Sequence, residues 1–486
     1  MSSNKVITAM LWKFMERFGT TGIQFVLQLV LARILSPSDY GAIALLNVFI
    51  LVSNVFIQQG FTSSLIQRQD VTNKDYSSVF YMSLIIATIC YIVLFIFAPS
   101  IAKFYHLYIL KDVLRVLALI LFVGAYNSVQ IAQISKEFKF KQLFYSSLVG
   151  IVISGIIGIC FAIYGFGIWS LVIQQLLNQI IITIVLFYQT KWKPTICFEI
   201  MRIKVLFSYG SKLLLSSLID VIYNNIYSLV IGKVYNSQSL GYYNRADQFP
   251  NVLVSNINGS IQSVIFPALS ELQNDKEKMK LLVRKAMMMS AYAVFPIMMG
   301  LSAVAEPLIT LLLTEKWLPC VSMLKLLCFS YMLWPIHTAN LQAISALGKS
   351  DIYLKLEVIK KIIGIIFLLI SIPLGIYIMI IMKILSSILG IFVNASPNKK
   401  LLNYGYKEQL KDLFPTFAIA MSMYLFIEII NYYILKITTN LFIVLSTEVI
   451  MGILVYLILS ILTKNKSYYF LRNFSKDIVF FKWRRS

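Results

Sequence analysis

Leu31-Ala-Arg-Ile-Leu-Ser-Pro-Ser-Asp-Tyr-Gly41 closes one long apolar run and opens another. It has an ungapped echo, Ile231-Gly-Lys-Val-Tyr-Asn-Ser-Gln-Ser-Leu-Gly241, 200 residues further on. Each copy has an aliphatic run, one cation (Arg33, Lys233), a short polar turn and a closing glycine (Gly41, Gly241). The same offset also aligns the runs that flank the corners. The reading of the whole chain grows outward from this pair.

The runs themselves fix the class. The chain has 486 residues, of which 59% are hydrophobic and 13% charged, and its mean hydropathy is +0.78. A soluble globule has too little interior for that apolar content. Stretches of about 20 apolar residues recur, each long enough to cross a hydrocarbon core of roughly 30 Å. In hydrocarbon the backbone must satisfy its own hydrogen bonds, so these stretches are expected to be helices. The expected fold is an all-α polytopic membrane protein.

Spans are expected near 10–34, 41–60, 77–99, 112–134, 144–164 and 166–189. A second set lies near 208–233, 243–267, 286–314, 321–346, 354–373 and 375–394, with a break at Pro373-Leu-Gly375. A last pair lies near 413–435 and 440–462, for about fourteen in all. Residues 270–285 and 466–486 mix charged and apolar positions and read as amphipathic surface segments.

The net charge of +22 belongs to topology rather than to nucleic acid. With the amino terminus inside, alternate loops carry the lysines and arginines, which places both termini in the cytoplasm. The same cations can meet anionic lipid headgroups. The five cysteines lie in or beside apolar runs, with spacing that suits neither a disulfide framework nor zinc.

Polar residues inside the spans carry the functional reading. The first span holds Glu16, Arg17, Thr20, Gln24 and Gln28; positions 16, 20, 24 and 28 share a helical face. The seventh holds Lys212, Ser216, Asp220, Asn224 and Ser228 at the same step of four. The second has Asn47, Asn54 and Gln58; the eighth has Asp247, Asn251, Ser255 and Asn258. Under the offset of 200, Thr20 meets Asp220, Gln24 meets Asn224 and Asn47 meets Asp247. Two six-helix lobes, 1–200 and 201–400, are therefore expected, related by a pseudo-twofold axis along the membrane normal. Residues 401–463 form a terminal helix pair and 464–486 a basic cytoplasmic tail.

A single amide or hydroxyl in a span usually bonds helix to helix. Four on one face exceed what one helix contact needs, and point to a wet cavity. Glu16 beside Arg17 also reads as a local ion pair. Lys325 and Lys383 are further cations, while Glu306, Glu428 and Glu448 carry no assigned role. His337, near the Pro335 break, reads as a satisfied structural histidine.

Gly348-Lys-Ser350 imitates the end of a phosphate loop, but Ala343 stands where the first glycine belongs and a membrane run precedes it. Neither a His-Glu-x-x-His pair nor a nucleophile elbow occurs, and the chain has only two histidines. A transporter is expected, not an enzyme, with no cofactor. A proton or sodium ion is left open as a coupling ion.

The Leu31–Gly41 corner resembles that of the bacterial polysaccharide transporter (Wzx-type) flippases, as does Gly60-Phe-Thr-Ser-Ser-Leu-Ile-Gln67. Leu240-Gly-Tyr-Tyr-Asn-Arg-Ala246 and Phe266-Pro-Ala-Leu-Ser-Glu-Leu-Gln273 are similar to that family too. Its superfamily also holds multidrug extruders and the lipid II flippase. The resemblance implies alternating access and an oligosaccharide on undecaprenyl diphosphate, moved across the bacterial inner membrane to its outer leaflet. It implies partners among polysaccharide polymerases and glycosyltransferases. It places Arg17 in a cationic cavity that holds the diphosphate, with Lys212 the other candidate. An extruder of small cations on the same scaffold would instead need an acidic cavity.

Overall fold

The computed structural model describes residues 3–68, 70–470 and 472. Among these residues the regular structure is helical, with no strand. Among the described residues eleven helical spans are long and apolar enough to cross a membrane. The chain forms two compact units, Met1–Gly241 and Tyr242–Ser486, and the boundary falls just inside a helix.

In the first unit α1 (Ser3–Ile34) is followed by α2 (Pro37–Asn54), a π turn (Val55–Gln59) and α3 (Gly60–Gln67). Then come α4 (Asn73–Phe104), α5 (Ile109–Leu117), α6 (Ile120–Lys136), α7 (Phe140–Ile163), α8 (Ile168–Thr190) and α9 (Ile200–Val234). Small residues let these helices approach, as expected without a hydrophobic force between them. Leu27 of α1 lies against Gly155 of α7, and Gln174 of α8 lies against Gly158. Trp192, after α8, donates to Asn73 Oδ1 at 2.7 Å and accepts at its carbonyl from Tyr126 at 3.1 Å.

The second unit takes up α10 (Ser237–Glu271) after its first turn. It continues with α11 (Lys276–Ala303), α12 (Ala305–Leu313), α13 (Pro319–Met332), α14 (Trp334–Ala346) and α15 (Ser350–Ser371). It ends with α16 (Ile376–Leu402), α17 (Tyr406–Ile437) and α18 (Leu441–Leu462). The break expected at Pro373-Leu-Gly375 is a short 3₁₀ turn, Ile372–Leu374, followed by Gly375 at φ +104°. The spans expected at 112–134 and 286–314 are interrupted, at Ala118-Leu119 and Val304, whereas that at 321–346 is one candidate span, Pro319–Ala346, with a turn at Leu333.

The expected amphipathic surface helix at 270–285 is not a separate element. Asp275 caps α11, accepting from Lys278 N at 3.1 Å, and the helix runs unbroken to Ala303. That backbone hydrogen bond, with the Lys278 ammonium, holds the Asp275 carboxyl below its ordinary range. The apolar positions Met279 and Val283 are buried. Lys280 pairs with Glu408 at 3.1 Å and Arg284 pairs with Asp412, so part of the charged face meets α17. The Tyr404 hydroxyl, buried and donating to Asp412 Oδ2 at 2.9 Å, is pushed well above its usual value by burial.

Candidate functional site

The two repeated corners are capped alike. Asp39 N donates to Ser36 Oγ at 3.2 Å, and Ser36 N donates back to Asp39 Oδ2 at 3.1 Å, closing a capping box at the start of α2. The residue aligned with Ser36 is Asn236, and its Oδ1 accepts from Ser239 N at 2.7 Å at the start of α10. The two helix starts then cross backbone to backbone. A Cβ on Gly41 would lie 1.7 Å from the Ser237 carbonyl oxygen; one on Gly241 would lie 1.9 Å from that of Pro37. The contact is reciprocal under the 200-residue offset. Lys233 donates to the Phe104 carbonyl at the end of α4, with its ammonium 4.2 Å from the centre of that ring. Arg33 is exposed.

On α1, Glu16, Thr20, Gln24 and Gln28 are all partly buried and Arg17 is exposed. Glu16 pairs with Lys13 at 2.7 Å, one turn back, rather than with Arg17. Thr20 donates to the Glu16 carbonyl and Thr21 to that of Arg17, so both hydroxyls are used by their own helix. Gln24 Oε1 is buried with no partner. The Gln28 carbonyl accepts from Tyr40 OH at 3.2 Å. On α2, Asn47 and Asn54 are partly buried. Gln58, in the π turn, donates to Asn54 Oδ1 at 3.4 Å, and Ser83 donates to the Ile57 carbonyl at 3.3 Å. Such turns free backbone groups for side chains to satisfy. On α9, Asp220 and Asn224 are exposed, and the Lys212 side chain lies outside the described residues.

The second unit gathers its polar residues more tightly. Tyr243, Asp247, Asn251, Asn258 and Gln262 share one face of α10 and form a seam roughly 28 Å long. At one end Lys383, from α16, lies 3.4 Å from Asp247 Oδ1 and donates to Tyr243 OH at 3.0 Å. Tyr331, from the last turn of α13, donates to Asp247 Oδ2 at 3.0 Å. The ammonium is 5.5 Å and 5.9 Å from the centres of the Tyr243 and Tyr331 rings, so two aromatic faces and a carboxylate neutralise it.

Further along, Asn258, Gln262, Ser290, Thr338 and Gln342 line a small pocket. Gln342 donates to Gln262 Oε1 at 3.4 Å, whereas both polar atoms of the buried Asn258 lack a partner. A face of amides, hydroxyls and one closed ion pair suits a ligand rich in hydroxyl groups. Among the described residues no three His, Cys, Asp or Glu side chains cluster as a metal site.

Sequence reading singled out Asp247, Asn251 and Lys383 without joining them, and missed Tyr243, Tyr331, Gln262 and Gln342. A step-four extension of the Asp247–Asn251 stripe in both directions marks Tyr243, and the drift of that face reaches Gln262. His337 is satisfied on both nitrogens, by Ser387 Oγ and Asn394 Nδ2, each at 3.0 Å, as a structural histidine should be.

A chain of Klebsiella pneumoniae, an uncharacterized membrane protein in its cps region, is 24% identical over 95% of this chain and 96% of its own length. The teichuronic acid biosynthesis protein TuaB of Bacillus subtilis is 25% identical over 72% of this chain and 73% of its own. Among solved structures, the lipid II flippase MurJ in an inward closed conformation superposes with a TM-score of 0.73 at 18% identity, covering 94% of this chain and 99% of that one; this likeness bears on the fold. The sequence pattern of one family, described as polysaccharide biosynthesis protein, matches residues 30–322, from just before the first corner to well past the second. With more than half of its length matched, the chain belongs to the polysaccharide biosynthesis protein family.

Proposed function

We propose that the protein flips undecaprenyl-diphosphate-linked oligosaccharide units from the cytoplasmic to the outer leaflet of a bacterial inner membrane. It acts as a transporter and not as an enzyme, supplying a surface polysaccharide pathway. The observation that carries this reading is the family match across 30–322, which takes in both corners and the polar helices α2 and α10. The names of relatives support it, since a succinoglycan biosynthesis transport protein of Rhizobium meliloti is 25% identical over 66% of this chain.

In this reading about fourteen spans form two six-helix lobes that alternate access to a common cavity, with both termini cytoplasmic. Polar faces of α1, α2, α9 and α10 contact sugar hydroxyls. Arg17 and Lys212 hold the diphosphate, since an anion in a poorly solvated cavity needs fixed cations. The polyprenyl tail stays in the bilayer. Glycosyltransferases supply the substrate and a polymerase consumes the product.

The test is genetic complementation. In a host lacking its own copy, the wild-type gene restores surface glycan. Arg17→Ala inserts normally in the membrane and does not restore it. Full restoration by Arg17→Ala removes the anion-site assignment, and unchanged glycan after deletion of the only flippase gene removes the function. A small-cation extruder on this scaffold would confer drug resistance and leave surface glycan untouched.

A further inference from the structure

We propose that Glu448 is a proton-binding site, connected to the surface of its helical unit through the Glu428–Lys325 pair, and that α18 packs as it does only while Glu448 is protonated. Glu448 sits in the apolar helix α18 with no exposed surface. Neither of its carboxyl oxygens has a hydrogen-bond partner. An ionised carboxylate so placed would bear its full desolvation cost with no compensating bond, so the group is held as the neutral acid.

The charges around it lead to the same state. The groups that face it are Glu428 from α17, Lys325 from α13 and Glu306 from α12, with the phenol of Tyr424 beside Glu428. Lys325 and Glu428 pair at 2.9 Å. One ammonium is therefore shared among three carboxyl groups, and it is already engaged by one of them. Ionising Glu448 would add a second, uncompensated negative charge next to Glu428, which a low-dielectric interior resists.

A proton fits this site and a metal cation does not. A hard cation needs several oxygen ligands, and no other polar atom is bonded to either carboxyl oxygen. The Lys325 ammonium also repels a cation. A proton needs only the carboxylate. The side chains of Lys325 and Glu428 are each about one-third exposed at the surface of the unit, at 31% and 33%. Glu448 is two turns from Asn440, which caps α18 with Oδ1 accepting from Phe442 N at 3.0 Å. One turn beyond Glu448, the side chain of Ile427 fills the space over Gly452, so α17 and α18 are in close contact here. Separating α18 from α12 and α17 would hydrate Glu448 and release its proton. In the orientation proposed above this end faces outside, so coupling to the proton gradient rests on that reading; the site itself does not.

The test is infrared spectroscopy of the purified full-length protein in lipid nanodiscs without substrate, reading the C=O band of protonated carboxyl groups. At pH 7 the wild type should show a band that shifts in heavy water. It should vanish in Glu448→Gln, which keeps the shape of the neutral acid, and remain in Glu306→Gln. Lys325→Met should about double the band, because Glu428 then loses its cation and takes up a proton. If that variant does not fold, Lys325→Met with Glu428→Gln should show a band of wild-type size. Absence of the band at pH 7, or its survival in Glu448→Gln, overturns the proposal. These readings do not depend on the substrate. A missing band with normal glycan export removes only the proton site, and a band as expected with no effect of deletion on glycan removes only the flippase reading.

Discussion

Replacement of Gly41 by alanine tests the crossing of the two corners. The added carbon would lie 1.7 Å from the Ser237 carbonyl oxygen and 2.9 Å from Gly241 N, both backbone atoms that no rotamer change can move. Reaching the shortest separation that such carbons show, 3.0 Å, requires the two helix starts to part by about 1.3 Å. Overpacking of a tight interior costs about 1–3 kcal/mol, and a clash of backbone on backbone belongs at the upper end. The same parting would carry a Cβ on Gly241 from 1.9 Å to roughly 3.2 Å from the Pro37 carbonyl oxygen, a tolerable contact. The double variant Gly41→Ala with Gly241→Ala should thus cost little more than either single one.

Gly22 is the control. A Cβ there meets nothing within 4 Å, so alanine should be neutral or gain up to about 1 kcal/mol of helix propensity. Thermal unfolding of the purified protein in detergent, with single variants, the double and the control at one scan rate, measures all four. A Gly41→Ala protein as stable as wild type, or a double variant whose loss equals the sum of the singles, would refute the backbone crossing.

Asp247→Asn should lower thermal stability by about 2–3 kcal/mol, because it leaves the Lys383 ammonium partly buried without its carboxylate, while Lys383→Met with Asp247→Leu should recover most of that loss in a thermal-shift cycle. Asp275→Ala should lower the melting temperature by removing the α11 cap, and Asp275→Asn should retain it. The Asp275 carboxyl is held below its ordinary range in the folded chain, so the contribution of its charge is present above about pH 4 and is lost as pH falls through the folded value; a melting series from pH 6 to about pH 3 should show the wild type converging on Asp275→Asn toward the acid end. Tyr331→Phe removes one hydrogen bond to Asp247 and keeps the ring over Lys383, so it should cost about 1 kcal/mol in the same melting assay, less than Asp247→Asn.

Local rules made much of this fold legible. Apolar run length announces the helices, Ser36 and Asn236 announce their caps, and Pro373 with Gly375 announces a break. The interruption at Val304 also has a local cause, since Pro307 has no N–H to donate to the Ala303 carbonyl and its ring crowds that turn. The polar stripe on α1 is a real helical face, yet spacing alone cannot tell a hydroxyl facing a cavity from one bonded to its own backbone, as Thr20 is. Partnerships across the chain were less visible. Lys383 and Asp247 stand 136 residues apart, and neither side chain names the other. Glu448 looks like a stray acid in an apolar helix until α12 and α17 enclose it. The charged stretch at 276–285 imitates a surface helix because its acidic partners, Glu408 and Asp412, lie more than 120 positions away.

The crossing at Gly41 and Gly241 also bears on how two similar corners of one chain can vary. Between residues 31–41 and 231–241 every aligned pair has diverged except this one: serine faces asparagine, proline faces serine, tyrosine faces leucine, and only glycine faces glycine. Ordinary drift tolerates a larger side chain in one copy when a smaller one arises in the other. Here each copy already has the smallest residue there is, so no compensating change exists. The two corners can carry different side chains at every other aligned position, but not at the glycines that touch.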